Sequence, residues 1–314
     1  MDTNKFFRGQ LVEVRSEEEI SKMLDSNGKF DGVPFMPEMV KYCGTQARVY
    51  RRANKTCVEG DGTRGMRDTV FLENLRCDGE FHDGCQRDCA FFWKEAWLKP
   101  VQDGVRPQEI KDSGLKSAGG LLGLLPTKVS DRYYCQSTEL FSATSPLSRW
   151  NIGQFVEEVR NSELSISDFA LILFRTVRHR LLGFAEVGSI VGVQKKSTRI
   201  DLGLKSGEWV KVKEAEEIRS TLDAGRKNFG LEFVPVMSEY IGGQYQVDKP
   251  VQKIIIEGTG HMVRLKNTVS LQDVRCKGLC VKNCPRNSSL YWREAWLERA
   301  EGGFNSPSLH DRKP

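Results

Sequence analysis

Leu11-Val12-Glu13-Val14 alternates apolar with polar positions, and so do Arg48-Val49-Tyr50 and Thr69-Val70-Phe71-Leu72. A period of two predicts strands with one buried face. Glu59-Gly60-Asp61-Gly62 supplies a hairpin turn between two of them. Ser16-x-x-Glu19 is a capping box and predicts a short helix, with Gly28 as its stop. A second helix is expected from Pro37, turning Met36, Met39 and Val40 inward. Farther on, Phe155, Val159, Ile166, Phe169, Ile172, Phe174, Val177 and Leu181 fall at mostly helical spacing, interrupted by Arg175, Arg178, His179 and Arg180. That stretch predicts a helical connector. An amphipathic helix lying on a membrane or an acidic partner is the competing reading, but the stripe lacks flanking Lys.

The strand pattern is written twice. Gly9-Gln10-Leu11-Val12-Glu13-Val14-Arg15 matches Gly207-Glu208-Trp209-Val210-Lys211-Val212-Lys213, and Phe35, Pro37, Met39, Tyr42 and Gly44 match Phe233, Pro235, Met237, Tyr240 and Gly242. Arg76-Cys77, Cys85 and Trp93-Lys94-Glu95-Ala96-Trp97-Leu98 return as Arg275-Cys276, Cys284 and Trp292-Arg293-Glu294-Ala295-Trp296-Leu297. The offset grows by one residue between these blocks, which places an insertion near Gly258-Thr259-Gly260, where a turn absorbs it cheaply. Each copy is about 95 residues, the size of a small domain. Four regions follow: a first repeat at 6–100, a mostly helical connector at 101–203, a second repeat at 204–300 and a disordered tail at 301–314. The expected fold is mainly β with α insertions, two duplicated small SH3-like barrels joined by a helical middle segment.

Composition bounds the function. The 314 residues are 39% hydrophobic and 28% charged, as in ordinary soluble proteins. No N-terminal apolar stretch resembles a signal peptide and no run reaches spanning length, so the expected compartment is the cytoplasm. Disulfides are rare there, and nine cysteines gathered mostly in two clusters point instead to metal. The net charge of +5 permits an acidic partner, nucleic acid included, without demanding one. A protein or small-molecule partner stays equally open.

The first cluster holds Cys77, Cys85 and Cys89, with His82 among them and Cys57 on a neighbouring strand. The second holds Cys276, Cys280 and Cys284. In register, Ser288 replaces Cys89 while Cys280 replaces Phe81, so each copy keeps three thiols. A buried cysteine acting as a small hydrophobe would not need such compensation, whereas a metal site would. Cys57, Cys77, Cys85 and Cys89 make a complete four-thiol set for structural zinc, with His82 or Cys43 as substitutes. The second copy has Ile255 for Cys57 and Ile241 for Cys43, so His261 or Cys135 is expected to close its site, or the fourth position stays open. An open position suits catalysis, and any chemistry is therefore expected at Cys276, Cys280 and Cys284. Zinc is the first expectation and an iron–sulfur cluster the alternative. Trp93 and Trp97, four apart as on one helix face, are expected to seal the core, with base stacking as the other use. Glu95 and Glu294 are expected to cap or to pair with Arg76 and Arg275. The histidines sit in no hydrolase motif, and Gly119-Gly120 and Gly242-Gly243 lack the residues of a phosphate loop.

The pattern Cys-Asp-Gly-x-x-His-x-Gly-Cys-x-x-x-Cys from Cys77, followed by Phe-Trp-Lys-Glu-Ala-Trp-Leu to Leu98, resembles a motif of bacterial proteins of unassigned role. Phe35-Met36-Pro37-Glu38-Met39 and Tyr134-Cys135-Gln136 belong to the same pattern. The resemblance implies one family unit and no activity. Two classes remain in view: a zinc-stabilised tandem binding module or scaffold, and an iron–sulfur redox protein or accessory enzyme of a biosynthetic pathway.

Overall fold

Val12 and Val14 are fully buried while Leu11 and Glu13 are not, the alternation expected of the strand Leu11–Val14. The computed structural model describes residues 5–101, 120–147, 158–159, 164–181, 188–195, 197–278 and 283–300. They form two units. The first comprises Met1–Phe174, Lys253–Val263 and Lys277–Ser288; the second comprises Arg175–Gln252, Arg264–Cys276 and Ser289–Pro314. The first unit thus includes a hairpin and a cysteine loop that the sequence assigns to the second repeat.

The main sheet of the first unit runs Trp93–Lys94, Thr69–Leu72, Gln46–Arg52, Leu11–Val14, Leu98–Pro100, all antiparallel. Its two edge strands are consecutive in the chain, joined only by the 3₁₀ turn Glu95–Trp97. A flat sheet of five strands would hold its edges roughly 19 Å apart, at about 4.8 Å per strand. One 3₁₀ turn, rising about 2 Å per residue, cannot bridge that gap, so the sheet curls. A register shift between Val49 and Arg51 adds to the bend. The second unit repeats the order with Trp292–Arg293, Thr268–Leu271, Gln244–Pro250, Trp209–Val212 and Leu297–Arg299. The mainly β character and the two similar sheets match the duplication.

Inside the first curl, Trp93 and Trp97 are fully buried and Phe35 meets both edge-on, with ring centroids 6.2 and 5.1 Å away. Phe233 meets Trp292 and Trp296 in the same way at 6.1 and 5.2 Å in the second unit. The tryptophans do not share a helix face as their spacing suggested. Trp93 sits on a strand and Trp97 ends a 3₁₀ turn, and the extended start swings both into the core. Fully buried rings cannot stack on bases, so the stacking alternative falls. Glu95 also departs from expectation. It pairs with Arg52 at 2.5 Å and accepts the Phe6 N–H at 2.8 Å, clamping the segment before the first strand. Glu294 does the equivalent for Leu202, Gly203 and Leu204.

The capping box at Ser16 forms, but its helix covers only Glu17–Ser21. Gly28, with φ of 70°, belongs to a separate tight turn in which its N–H donates to Asp25 O. Pro37–Tyr42 is a 3₁₀ rather than an α-helix, with Met36 and Met39 buried and Val40 half-buried. One helix of the middle segment is Ile166–Leu181. Ile172 is buried, but Ile166, Leu173 and Phe174 are exposed, so the apolar stripe does not face inward throughout. Phe155, the side chains of residues 175–181 and the tail at 301–314 lie outside the described residues. Among the described residues no helix is long and apolar enough to cross a membrane.

Candidate metal centre

The first cysteine loop has a closed neck. Arg76 bridges Ala90, and the Cys77 N–H donates to Cys89 O at 2.9 Å, so Cys77 and Cys89 stand side by side. Within the loop Gly79 O accepts from His82 N and Gly84 N at 3.0 and 2.9 Å. Gly79 has φ of 72°, and a Cβ there would lie 2.1 Å from Cys85 O. Gly278, with φ of 74°, would meet Cys284 O at the same distance. This contact explains why glycine recurs two residues after the first cysteine of each loop. Gly79→Ala is expected to cost about 1–3 kcal/mol from the backbone conformation alone, with the clash adding to it. A urea midpoint equal to wild type would show that the loop is not built around this contact.

The loop delivers three thiols to one pocket. Cys77, Cys85 and Cys89 line a cavity of about 30 Å³ together with Cys135 from the middle segment. Met36, Phe91, Phe92 and Ile255 make its walls apolar. Cys135 is held there by its neighbours on both sides. Tyr134 O accepts from His82 Nε2 at 3.0 Å, while Gln136 Nε2 donates to Pro34 O and Phe92 O at 2.9 and 2.8 Å. Gln136 Oε1 accepts the Phe92 N–H at 2.9 Å.

Three of the four sulfurs receive backbone N–H groups, each from the residue two positions on. Gly79 serves Cys77, Arg87 serves Cys85 and Ser137 serves Cys135, to which the Thr138 N–H and hydroxyl donate as well. The Ile255 N–H adds a second donor to Cys85 Sγ at 3.4 Å. These donors favour thiolate, but burial dominates. It drives Cys77 well above the ordinary thiol range, raises Cys85 and pushes Cys135 up to about 11. Left to themselves these thiols stay protonated and are weak nucleophiles.

Positive charge stands beside them. Arg87 and Arg286 also line the pocket. Arg286 pairs with the buried Glu257 at 2.6 Å, and Arg87 reaches the same carboxylate at 3.3 Å. Burial raises the Glu257 pKa, but the two guanidiniums outweigh it and the net shift is downward. Two guanidiniums meet one buried carboxylate, because Glu59 is half exposed and lies 3.9 Å from Arg87.

The other candidates do not join this set, although His82 also lines the pocket. Cys57 stands against Cys284, whose Sγ accepts the Cys57 N–H at 3.2 Å, and lines no part of the four-thiol pocket. His82 is fully engaged: Nδ1 lies 2.5 Å from Glu38 Oε1 and Nε2 points to the Tyr134 carbonyl. Burial lowers the His82 pKa, but the hydrogen bond and charge of Glu38 and the Tyr134 carbonyl raise it on balance, and no ring nitrogen is left for a metal. Cys43 is half-buried away from the pocket, where burial and then Glu17 push it up to about 12. His261 is exposed at the end of its hairpin, Cys276 belongs to the second unit, and Cys280 lies outside the described residues. Among the described residues, no three His, Cys, Asp or Glu side chains as they stand form a ready cage for an ion.

Arg87, Arg286 and Glu257 were not singled out by sequence. Their signal was available: Arg87 and Arg286 each follow the shared cysteine by two positions, and Glu59 and Glu257 occupy matching hairpin sites. No protein-family model, curated protein or solved structure matches this chain.

Proposed function

We propose that this chain is a zinc-stabilised tandem binding module with SH3-like curled sheets, its metal held by Cys77, Cys85, Cys89 and Cys135. The observation that carries this reading is the convergence of four thiols from two separate segments on one small apolar pocket. Zinc bound by four thiolates bears two negative charges, which a dry pocket tolerates only beside cations. Arg87 and Arg286 stand there, and with Glu257 between them they leave one net positive charge beside the centre. The cavity of about 30 Å³ has room for at least one ion among the four sulfurs. A site closed by four thiolates leaves no position for water or substrate, so its role is to hold the fold. Protein purified without oxygen should be colourless and carry stoichiometric zinc by elemental analysis. A brown sample containing iron and sulfide would replace this reading with the iron–sulfur one.

A further inference from the structure

One contact of the first unit is built twice with different chemistry. The Ile255 N–H donates to Cys85 Sγ at 3.4 Å, and Arg87 Nη1 donates to Ile255 O at 2.7 Å. In the copy, the Cys57 N–H donates to Cys284 Sγ at 3.2 Å, and Arg286 Nη1 donates to Cys57 O at 3.1 Å. Ile255 and Cys57 occupy the same place, so the fold does not require a cysteine there. What Cys57 adds is a second thiol beside a sulfur that already accepts backbone N–H groups.

We infer that Cys57 and Cys284 form a redox-active dithiol, separate from the metal centre, that a hydroperoxide oxidises to a disulfide. The Cys57 S–H donates to the Cys284 sulfur, and together with the Arg286 and Cys57 N–H groups and the Arg286 charge it draws the Cys284 pKa below the ordinary thiol range against burial. Cys57, as the donor, moves the opposite way. Buried Lys55, paired with Glu158 at 2.6 Å, is the other cation near Cys284, and Glu257 is the carboxylate near Cys57. The Cys57 and Arg286 N–H groups aimed at its sulfur, with the Arg286 charge, mark Cys284 as the attacking sulfur. Cys284 is only 3% exposed, so the oxidant must be compact, and half-buried Cys57 offers the way in.

The Cys284 thiolate attacks one peroxide oxygen and the O–O bond breaks. The alkoxide leaves and takes a proton from solvent to become an alcohol, and Cys284 becomes a sulfenic acid. The Cys57 sulfur then displaces hydroxide from Cys284, forming the S–S bond. The Cys57 proton leaves with that hydroxide as water. Two thiols are oxidised by two electrons, and one hydroperoxide becomes one alcohol and one water.

The test treats the full metal-loaded chain with hydrogen peroxide, blocks free thiols and maps cross-links by mass spectrometry, with zinc counted before and after. The expected result is a Cys57–Cys284 disulfide that a dithiol reductant reverses, with zinc retained. Cys57→Ile, which copies the second repeat, should lose the cross-link completely while keeping the wild-type melting curve, and Cys57→Ser, whose hydroxyl can still donate to the Cys284 sulfur, should trap Cys284 as a dimedone adduct. Cys57→Ser also removes the cross-link should the isoleucine variant misfold. No cross-link in wild type, or an unmodified Cys284 in folded Cys57→Ser, would overturn the inference. So would a disulfide among Cys77, Cys85, Cys89 and Cys135 formed with loss of zinc. Absence of zinc from the starting protein would instead defeat the metal centre and leave the dithiol test standing.

Discussion

Replacing Cys85 by Ser is expected to release the metal and to destabilise the first unit by several kcal/mol. Structural zinc affinities run at about 10–16 kcal/mol, and that binding energy is folding energy. Cys85 is the most deeply held thiol of its loop, 7% exposed and fixed by N–H donors from Ile255 and Arg87. Cys135→Ser should have the same consequence, because the middle segment brings that thiol to the pocket between two anchored neighbours. Cys57→Ser should leave metal content unchanged. Zinc titration and thermal melts of the three variants separate the two possible four-thiol sets. Metal loss in Cys57→Ser with retention in Cys135→Ser would restore the set that sequence spacing alone suggested.

His82→Ala is expected to cost about 3–5 kcal/mol, because it strands the Glu38 carboxylate in the interior. Both side chains are about 1% exposed, and Glu38 Oε2 already lacks a hydrogen-bond partner. The pair also gives stability a pH dependence. Burial lowers the His82 pKa, but the hydrogen bond and charge of Glu38 and the Tyr134 carbonyl raise it further, for a net upward shift from 6.5. A raised folded pKa means the contribution is complete below the unfolded value and disappears as pH rises through the folded one. Wild-type melting temperature should therefore fall as pH climbs from about 6.5 past that raised value. In His82→Ala this slope should vanish. A variant as stable as wild type, with the same pH profile, would show that the pair is not charged. Val236 and Val281 replace Glu38 and His82 in the second repeat, so the dependence belongs to the first unit.

The strands were legible because Leu11–Val14 and Thr69–Leu72 carry their burial in local patterning, and the duplication because tryptophan and cysteine are rare. The grouping of the thiols was harder to read. Sequence spacing can say that Cys77 and Cys89 share a loop, since the Arg76–Ala90 bridge closes it locally. It cannot say that Cys135 joins them, because that depends on Gln136 bonding the backbone of Phe92, 44 positions away. Nor can it show that Cys57 leaves the cluster for Cys284, a contact across 227 positions. Helix type was missed for a different reason. Pro37–Tyr42 and Glu95–Trp97 are too short for hydrophobic periodicity to separate an α-helix from a 3₁₀ turn.

The metal centre is tested most directly by X-ray absorption at the zinc edge on the full chain, wild type and Cys135→Ser side by side. Four sulfurs at about 2.3 Å are expected in the wild type. The variant should show three sulfurs and one lighter atom, or no zinc. A wild-type shell dominated by nitrogen and oxygen, or four sulfurs unchanged in Cys135→Ser, would contradict the proposed centre.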